Sequence, residues 1–176
     1  MLSVTRESGI CYKLVAPDAT QRRKRKRAMD IAFRAATQAD FNYCATLYLA
    51  EMEPTLALDM ARHTADFRAR WSAAETRIIA RGGADIGWLQ AATDGDALFL
   101  KHLFVEATLQ RQGIGTQAMH RLIDEAARAG RAVTLGVVKT NPALRFYRRL
   151  GFAITHQDER KLYMRRERDV APPTRA

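Results

Sequence analysis

Leu109-Gln110-Arg111-Gln112-Gly113-Ile114-Gly115-Thr116 stands between an apolar, strand-like run from Ala97 to Val105 and a helix-like run from Ile114 to Arg128. Two glycines at a strand-to-helix junction let backbone come close to a ligand, because neither carries a Cβ. The first turn of the helix offers free N–H groups and the positive end of the helix dipole. Such a place suits an anion, most often a phosphate. An ordinary glycine turn before a helix is the plainer alternative.

Three phosphate-binding patterns compete for these glycines. A Walker A loop needs a Lys after its last glycine, and none follows Gly115. The dinucleotide pattern G-x-G-x-x-[GA] is met by Gly113, Gly115 and Ala118. It also needs a carboxylate at the end of the next strand to hold a ribose. That strand ends Gly136-Val137-Val138-Lys139, and hairpin signals precede the motif, so this pattern ranks low. The third, [QR]-x-x-G-x-[GA], is met by Gln110, Gly113 and Gly115.

A second stretch, Asn141-Pro142-Ala143-Leu144-Arg145-Phe146-Tyr147-Arg148-Arg149-Leu150-Gly151-Phe152, reads locally as a short capped helix. Asn141 suits the N-cap and Pro142 the first helical position. Gly151 suits a left-handed residue that stops the helix. Ala143, Phe146, Tyr147 and Leu150 share one face. Together the two stretches resemble the signatures of the GNAT superfamily of acyl-CoA-dependent N-acyltransferases. The first matches its pyrophosphate-binding loop and the second its N-x-A-x-x-x-Y-x-x-x-G-F segment. The resemblance covers roughly Asp30 to Arg166, the size of one domain.

Composition narrows the class. A chain of 176 residues fits one domain with a full core. No apolar run reaches the ~18 residues of a membrane span, and the first residues lack the apolar core of a secretory signal. Cys11 and Cys44 are the two cysteines, so no disulfide framework is implied and a reducing, cytoplasmic setting is expected. Cys44 falls on an apolar helix face and reads as core. No His, Cys and carboxylate set has metal spacing, so no metal is expected.

The net charge of +10 is unevenly placed: Met1 to Ala28 carries +6 of it and the rest of the chain +4. Arg22 to Arg27 fits a nucleic-acid patch or a solvated, disordered extension, the latter favoured by its lack of periodicity. Three segments follow: a basic extension over 1–28, a domain over 29–166 and a frayed tail over 167–176. Met29 is a candidate natural start, which mass spectrometry of the natively expressed protein would test.

Within the domain, Ile31 to Ala36 reads as a strand. Thr37-Gln38-Ala39-Asp40 resembles a capping box opening a helix. Phe41, Cys44, Ala45, Tyr48, Leu49 and Met52 form its apolar stripe. A second helix carries Leu56, Met60, His63, Phe67 and Trp71 on one side, with His63 at its boundary. Strands are expected over Thr76–Ala80, Ile86–Ala92 and Leu98–Val105. Arg81-Gly82-Gly83-Ala84 and Thr93-Asp94-Gly95-Asp96 are the turns between them. A third helix runs from Ile114 to near Gly130. Ala132–Val138 is the fifth strand, the Asn141 helix follows, and Phe152–Thr155 and Lys161–Arg165 close the domain. The sum is an α/β fold of the α+β kind, a mixed, mostly antiparallel sheet of about seven strands with about four helices.

The family resemblance implies more. Strands four and five would run parallel and splay apart, with the cofactor in the gap. Acetyl-CoA would be the acyl donor. The amides of Gln110, Arg111, Gln112, Gly113, Ile114, Gly115 and Thr116 would hold its pyrophosphate, and the backbone of Leu103, Phe104 and Val105 would pair with its pantetheine arm. A backbone N–H on strand four would serve the oxyanion. Tyr147 would protonate the leaving thiolate. Asn141 could bond the cofactor as well as cap its helix. Many relatives place a Glu base on strand four; His102 stands there in this chain, so the base stays open. Lys101 is expected to face away from His102. Glu51 and Glu53, in the connection between the first two helices, are rival bases or attractors of a cationic amine. Their plainer role is a solvated turn.

The expected function is acetyl transfer from acetyl-CoA to a primary amine of a small molecule, protein or peptide, by direct attack in a ternary complex. Two alternatives remain: an RNA-linked acceptor such as an aminoacyl-tRNA, recruited by basic charge, and a non-catalytic CoA-binding sensor. Most of the basic charge lies in the head, which argues against nucleic acid. No membrane partner is expected, and a homodimer stays open.

Overall fold

The structure, a computed structural model, describes residues 30–52 and 60–168. The basic head, Met29, Leu56, Glu53 and the tail beyond Arg168 lie outside the described residues. Four helices and seven strands follow the expected order. These are β1 (Ala32–Ala35), α1 (Phe41–Met52), α2 (Met60–Arg70), β2 (Thr76–Arg81), β3 (Ala84–Asp94) and β4 (Ala97–Val105). After them come α3 (Ile114–Arg128), β5 (Ala132–Val138), α4 (Leu144–Arg149), β6 (Ala153–Gln157) and β7 (Lys161–Arg166).

The strands form one sheet in the order β1-β2-β3-β4-β5-β7-β6. Every neighbouring pair is antiparallel except β4 and β5, which run parallel and are joined by α3. A parallel pair needs such a crossover, whereas the antiparallel pairs can close through tight turns. Between β2 and β3, Gly82 and Gly83 both take positive φ, 61° and 87°, as a two-residue hairpin turn of the favoured hand requires.

Alternation along the strands gives the sheet two buried faces. On one, Ile79, Leu89, Leu100, Leu135 and Val137 pack against Ile114, Met119, Leu122 and Ile123 of α3. On the other, Ile78, Trp88 and Phe104 meet Cys44, Ala45, Tyr48 and Phe67 of α1 and α2. Cys44 is fully buried as expected, and burial pushes its thiol up to about 11.

Capping fixes the helix ends. The Asp40 carboxylate accepts the Thr37 backbone N–H at 2.7 Å, and a short 3₁₀ turn then leads into α1. Helix α3 ends as its glycine signal implied: Gly130 is left-handed, Arg131 N–H donates to Ala126 C=O and Gly130 N–H to Ala127 C=O. The same pair of bonds ends α4, from Phe152 to Tyr147 and from Gly151 to Arg148. The start of α4 departs from the sequence reading. The α-helix begins at Leu144, because Asn141-Pro142-Ala143 first makes a tighter turn in which Leu144 N–H donates to Asn141 C=O at 3.2 Å. Asn141 still caps: its Oδ1 accepts the Ala143 N–H at 2.8 Å.

Among the described residues, no helix is long and apolar enough to cross a membrane.

Candidate functional site: a parted strand pair beside a glycine-started helix

Strands β4 and β5 pair over four positions, from Ala97↔Ala132 to Leu100↔Leu135. Beyond Leu100 no pair joins them. β5 continues along β7 as far as Val138↔Lys161, while β4 continues along β3 as far as Gly87↔Val105. The backbone of Leu103, Phe104 and Val105 therefore has β3 on one side and a gap on the other. A strand edge left in this way is a template for an extended ligand.

The parting coincides with a β-bulge. His102 pairs with Gln90 but Leu100 pairs with Ala91, so Lys101 has no counterpart on β3. The extra residue corrects the expectation that Lys101 faces away from His102. Glu75 Oε2 accepts both from Lys101 Nζ, at 2.7 Å, and from Gln90 Nε2, at 3.0 Å. Gln90 lies across from His102, so Lys101 and His102 share the α1/α2 side. Simple alternation fails where a strand carries one residue more than its partner.

At the open end of β4 the chain makes a 3₁₀ turn over Ala107–Leu109 and enters α3. Gln110 Nε2 donates to Val105 C=O at 3.1 Å, and Gln112 Nε2 to Thr108 C=O at 3.2 Å, which folds the loop back on itself. Arg111 has a positive φ of 58°, the one non-glycine to do so among the described residues. Gly113 is the N-cap, with φ 82°, a conformation in which a Cβ is strained. The first intrahelical bond runs from Gln117 N–H to Gly113 C=O, so the amides of Ile114, Gly115 and Thr116 stand ahead of the ladder.

Gly115 is the more telling glycine. Its backbone is helical, and a Cβ there would touch nothing nearer than Phe146 Cζ at 3.7 Å, an ordinary contact. Glycine in a helix is less stable than alanine by about 0.5–1 kcal/mol. The fold itself gives no reason to accept that cost. A ligand lying close over the first turn would give one.

Tyr147 packs against the same core from α4, with its ring 5.1 Å from Phe146 and 5.9 Å from Phe152. Its hydroxyl has no hydrogen-bond partner among the described residues, and burial raises its pKa above the usual phenol range. It is therefore a protonated donor at neutral pH.

His102 sits among aromatic rings. Trp88 lies 5.6 Å away, Tyr48 5.7 Å, Phe104 5.9 Å and Phe67 6.4 Å, centroid to centroid. Burial, helped by the charges of Lys101, Arg70 and Lys161, pushes its pKa down to about 4. The imidazole is neutral at pH 7 and able to accept a hydrogen bond, but it is a weak base. Glu51 lies in the last turn of α1 with its side chain outside the described residues, as is all of Glu53. The sequence reading missed Gln90. It is fully buried, and its Nε2 also donates to Arg70 C=O at 3.0 Å, tying the end of α2 to the sheet beneath His102. The signal was present as a lone amide within Trp88-Leu89-Gln90-Ala91.

Among the described residues, no group of three or more His, Cys, Asp or Glu side chains is placed to hold a metal.

A mixed sheet parted between two parallel strands, with a glycine-started helix at the parting and a half-buried phenol beside it, is the arrangement of a GNAT-like fold. The description "Acetyltransferase (GNAT) domain" belongs to the family model that matches residues 71–154, which span β2 to β6. Over those residues this chain is similar to the GNAT acetyltransferase domain. No curated protein sequence matches it. Solved structures share its fold. The PaiA N-acetyltransferase of Thermoplasma acidophilum, in complex with coenzyme A, is 15% identical with a TM-score of 0.65, covering 78% of this chain and 99% of that one. The ribosomal-protein-S18-alanine N-acetyltransferase of Escherichia coli is 18% identical with a TM-score of 0.60, covering 83% and 99%. The yncA protein of Salmonella typhimurium, solved with acetyl-CoA, is 21% identical with a TM-score of 0.57, covering 84% and 99%.

Proposed function

We propose that this protein transfers an acetyl group from acetyl-CoA to a primary amine by direct attack within a ternary complex. The observation that carries the reading is the parting of β4 from β5 beyond Leu100 and Leu135, directly before the Gly113 N-cap. The match of residues 71–154 to the acetyltransferase domain model and the likeness in fold to structures solved with CoA and acetyl-CoA support it.

The donor supplies an activated thioester carbonyl. The amides of Ile114, Gly115 and Thr116, with the loop from Gln110 to Gly113, would hold its pyrophosphate at the positive end of α3. The open backbone of Leu103, Phe104 and Val105 would align the extended arm, and an N–H on this edge of β4 would donate to developing negative charge on the acetyl oxygen. As the amine nitrogen bonds to the acetyl carbon, the carbon–sulfur bond breaks and Tyr147 gives its proton to the sulfur; the proton shed by the acylated nitrogen passes to water and restores the Tyr147 phenol, so that amide and CoA thiol leave with no net proton change. The high pKa of Tyr147 keeps it protonated for that role.

The amine must reach the site without its extra proton. An alkylammonium has a pKa near 10, and a base pushed to about 4 takes that proton poorly. His102 therefore serves as a neutral acceptor that orients a free amine, directly or through a water. Asn141 is kept as a cap, with its exposed amide also available to the donor.

The test is calorimetric binding of acetyl-CoA to the wild type and to the Gly113→Glu, Gly115→Glu double variant, with circular dichroism to show that both are folded. Binding by the wild type and loss in the variant are expected. A folded wild type that does not bind overturns the reading.

A further inference from the structure

The same alternation that separates the two cores identifies what else faces His102. Leu135 and Val137 belong to the α3 side, so Gly136 and Val138 of β5 point to the α1/α2 side. Their partners on β7, Tyr163 and Lys161, point the same way. Over this part of the sheet the face is open: Val138 is 44% exposed. A cavity of about 550 Å³ lies here, lined by Val138, Asp158, Glu159, Arg160, Lys161 and Tyr163. It shares the sheet face of His102, across the parting of the strands. Lys161 is near enough for its charge to act on the imidazole.

The groove is lined by two acids, Asp158 and Glu159, and two bases, Arg160 and Lys161, which differ in how they are engaged. Asp158 is fully engaged: Oδ1 accepts the backbone N–H groups of Arg160, at 2.8 Å, and Lys161, at 2.6 Å, and Oδ2 accepts the Tyr163 hydroxyl at 2.9 Å. It braces the hairpin tip. Ion pairs elsewhere engage, among others, Arg34, Arg77, Lys101 and Arg165. Lys139, Arg160 and Lys161 have no carboxylate pair among the described residues. Arg70, at the end of α2, adds positive charge near His102. Glu159 is the one lining acid left without a mapped role.

We propose that this groove receives the acceptor and selects amines that also carry an anionic group, with Lys161 as the residue that meets the anion. The inference rests on the acetyltransferase reading and names its substrate class. A dication entering the groove meets like charge. An amine with its own carboxylate or phosphate is held by Lys161, and the surrounding positive field favours the uncharged, nucleophilic amine that a weak imidazole cannot generate.

The test uses the full chain loaded with CoA or acetyl-CoA and three alkylamines of equal length, ending in a carboxylate, an amide or a second amine. Binding to the CoA-loaded enzyme and kcat/KM are measured at about 0.02 M and about 0.3 M salt, across which screening tightens severalfold in range. The carboxylate amine is expected to exceed the diamine by roughly tenfold, with the gap narrowing in high salt. Lys161→Glu should invert the order while leaving acetyl-CoA affinity unchanged. Equal behaviour of the three amines, a diamine preference, or no binding of the carboxylate amine overturns the inference. A diamine preference lost in Glu51→Gln or Glu53→Gln would assign selection to those acids instead. The acetyltransferase reading is judged separately: it fails if the folded wild type does not bind acetyl-CoA, or binds it and acetylates none of the amines.

Discussion

Within β4, Ala97–Leu100 and Lys101–Val105 are treated differently by their neighbours. The first half has a strand on either side, and Ala97, Leu98 and Leu100 are buried. The second half has β3 on one side and the parting on the other, and none of its residues is fully buried. The same strand is thus core and then an edge open on one side, and the bulge at Lys101 marks the change. The contrast teaches that the site is made by ending a ladder rather than by adding a pocket.

The contrast predicts where changes will hurt. Leu135→Ala, opposite the first half, should lose about 3 kcal/mol of stability from cavity formation, read as a shifted urea midpoint. The protein that remains folded should bind acetyl-CoA as before. If affinity falls in parallel, the two halves are not separable. His102, in the second half, should behave as a group that resists its proton. Its native pKa lies below the unfolded value of 6.5, so its contribution is fully present above pH 6.5 and is lost as pH falls toward 4. The loss is at most about 3 kcal/mol. In His102→Gln that share of the pH dependence should vanish from denaturation curves taken across the window. An imidazole titrating near 6.5 by NMR would contradict the enclosed aromatic setting.

Tyr147→Phe should lower kcat by about tenfold to a hundredfold, because water can replace the phenol as proton donor only in part. Acetyl-CoA affinity and thermal midpoint should hardly move; an unchanged kcat would remove Tyr147 from the chemistry. The smallest effect is expected at Gly115. Gly115→Ala should stabilise the helix by up to about 1 kcal/mol and weaken acetyl-CoA binding at the same time. Opposite signs in melting and calorimetry would show a glycine kept for its ligand. Tighter binding would show the reverse.

Helix α3 was legible to the residue, from Ile114 to Arg128, because an apolar stripe and a left-handed glycine mark its span and end. The hairpin turns were legible for the same reason, since Gly82-Gly83 and Asp94-Gly95 have few other uses. The bulge was not. Ala97 to Val105 is almost continuously apolar, so no change of period shows where one residue is added. Without it Lys101 was assigned to the wrong side. The start of α4 was misplaced because Asn141 and Pro142 fit a cap equally well with or without an intervening tight turn. The parting of the strands came from the family resemblance. No residue in β4 or β5 announces it, because it is a property of two strands taken together.

The four ladder positions between β4 and β5 have a mechanical consequence. One arm of the molecule holds β1 to β4 with α1 and α2, and the other holds β5 to β7 with α4. They are hinged on a short seam, backed by α3. A molecule built this way can flex about the seam, and a ligand lying along the parting would act as a splint across it. Amides on both arms, including those of β7 far from any contact with that ligand, should then exchange with deuterium more slowly once it is bound.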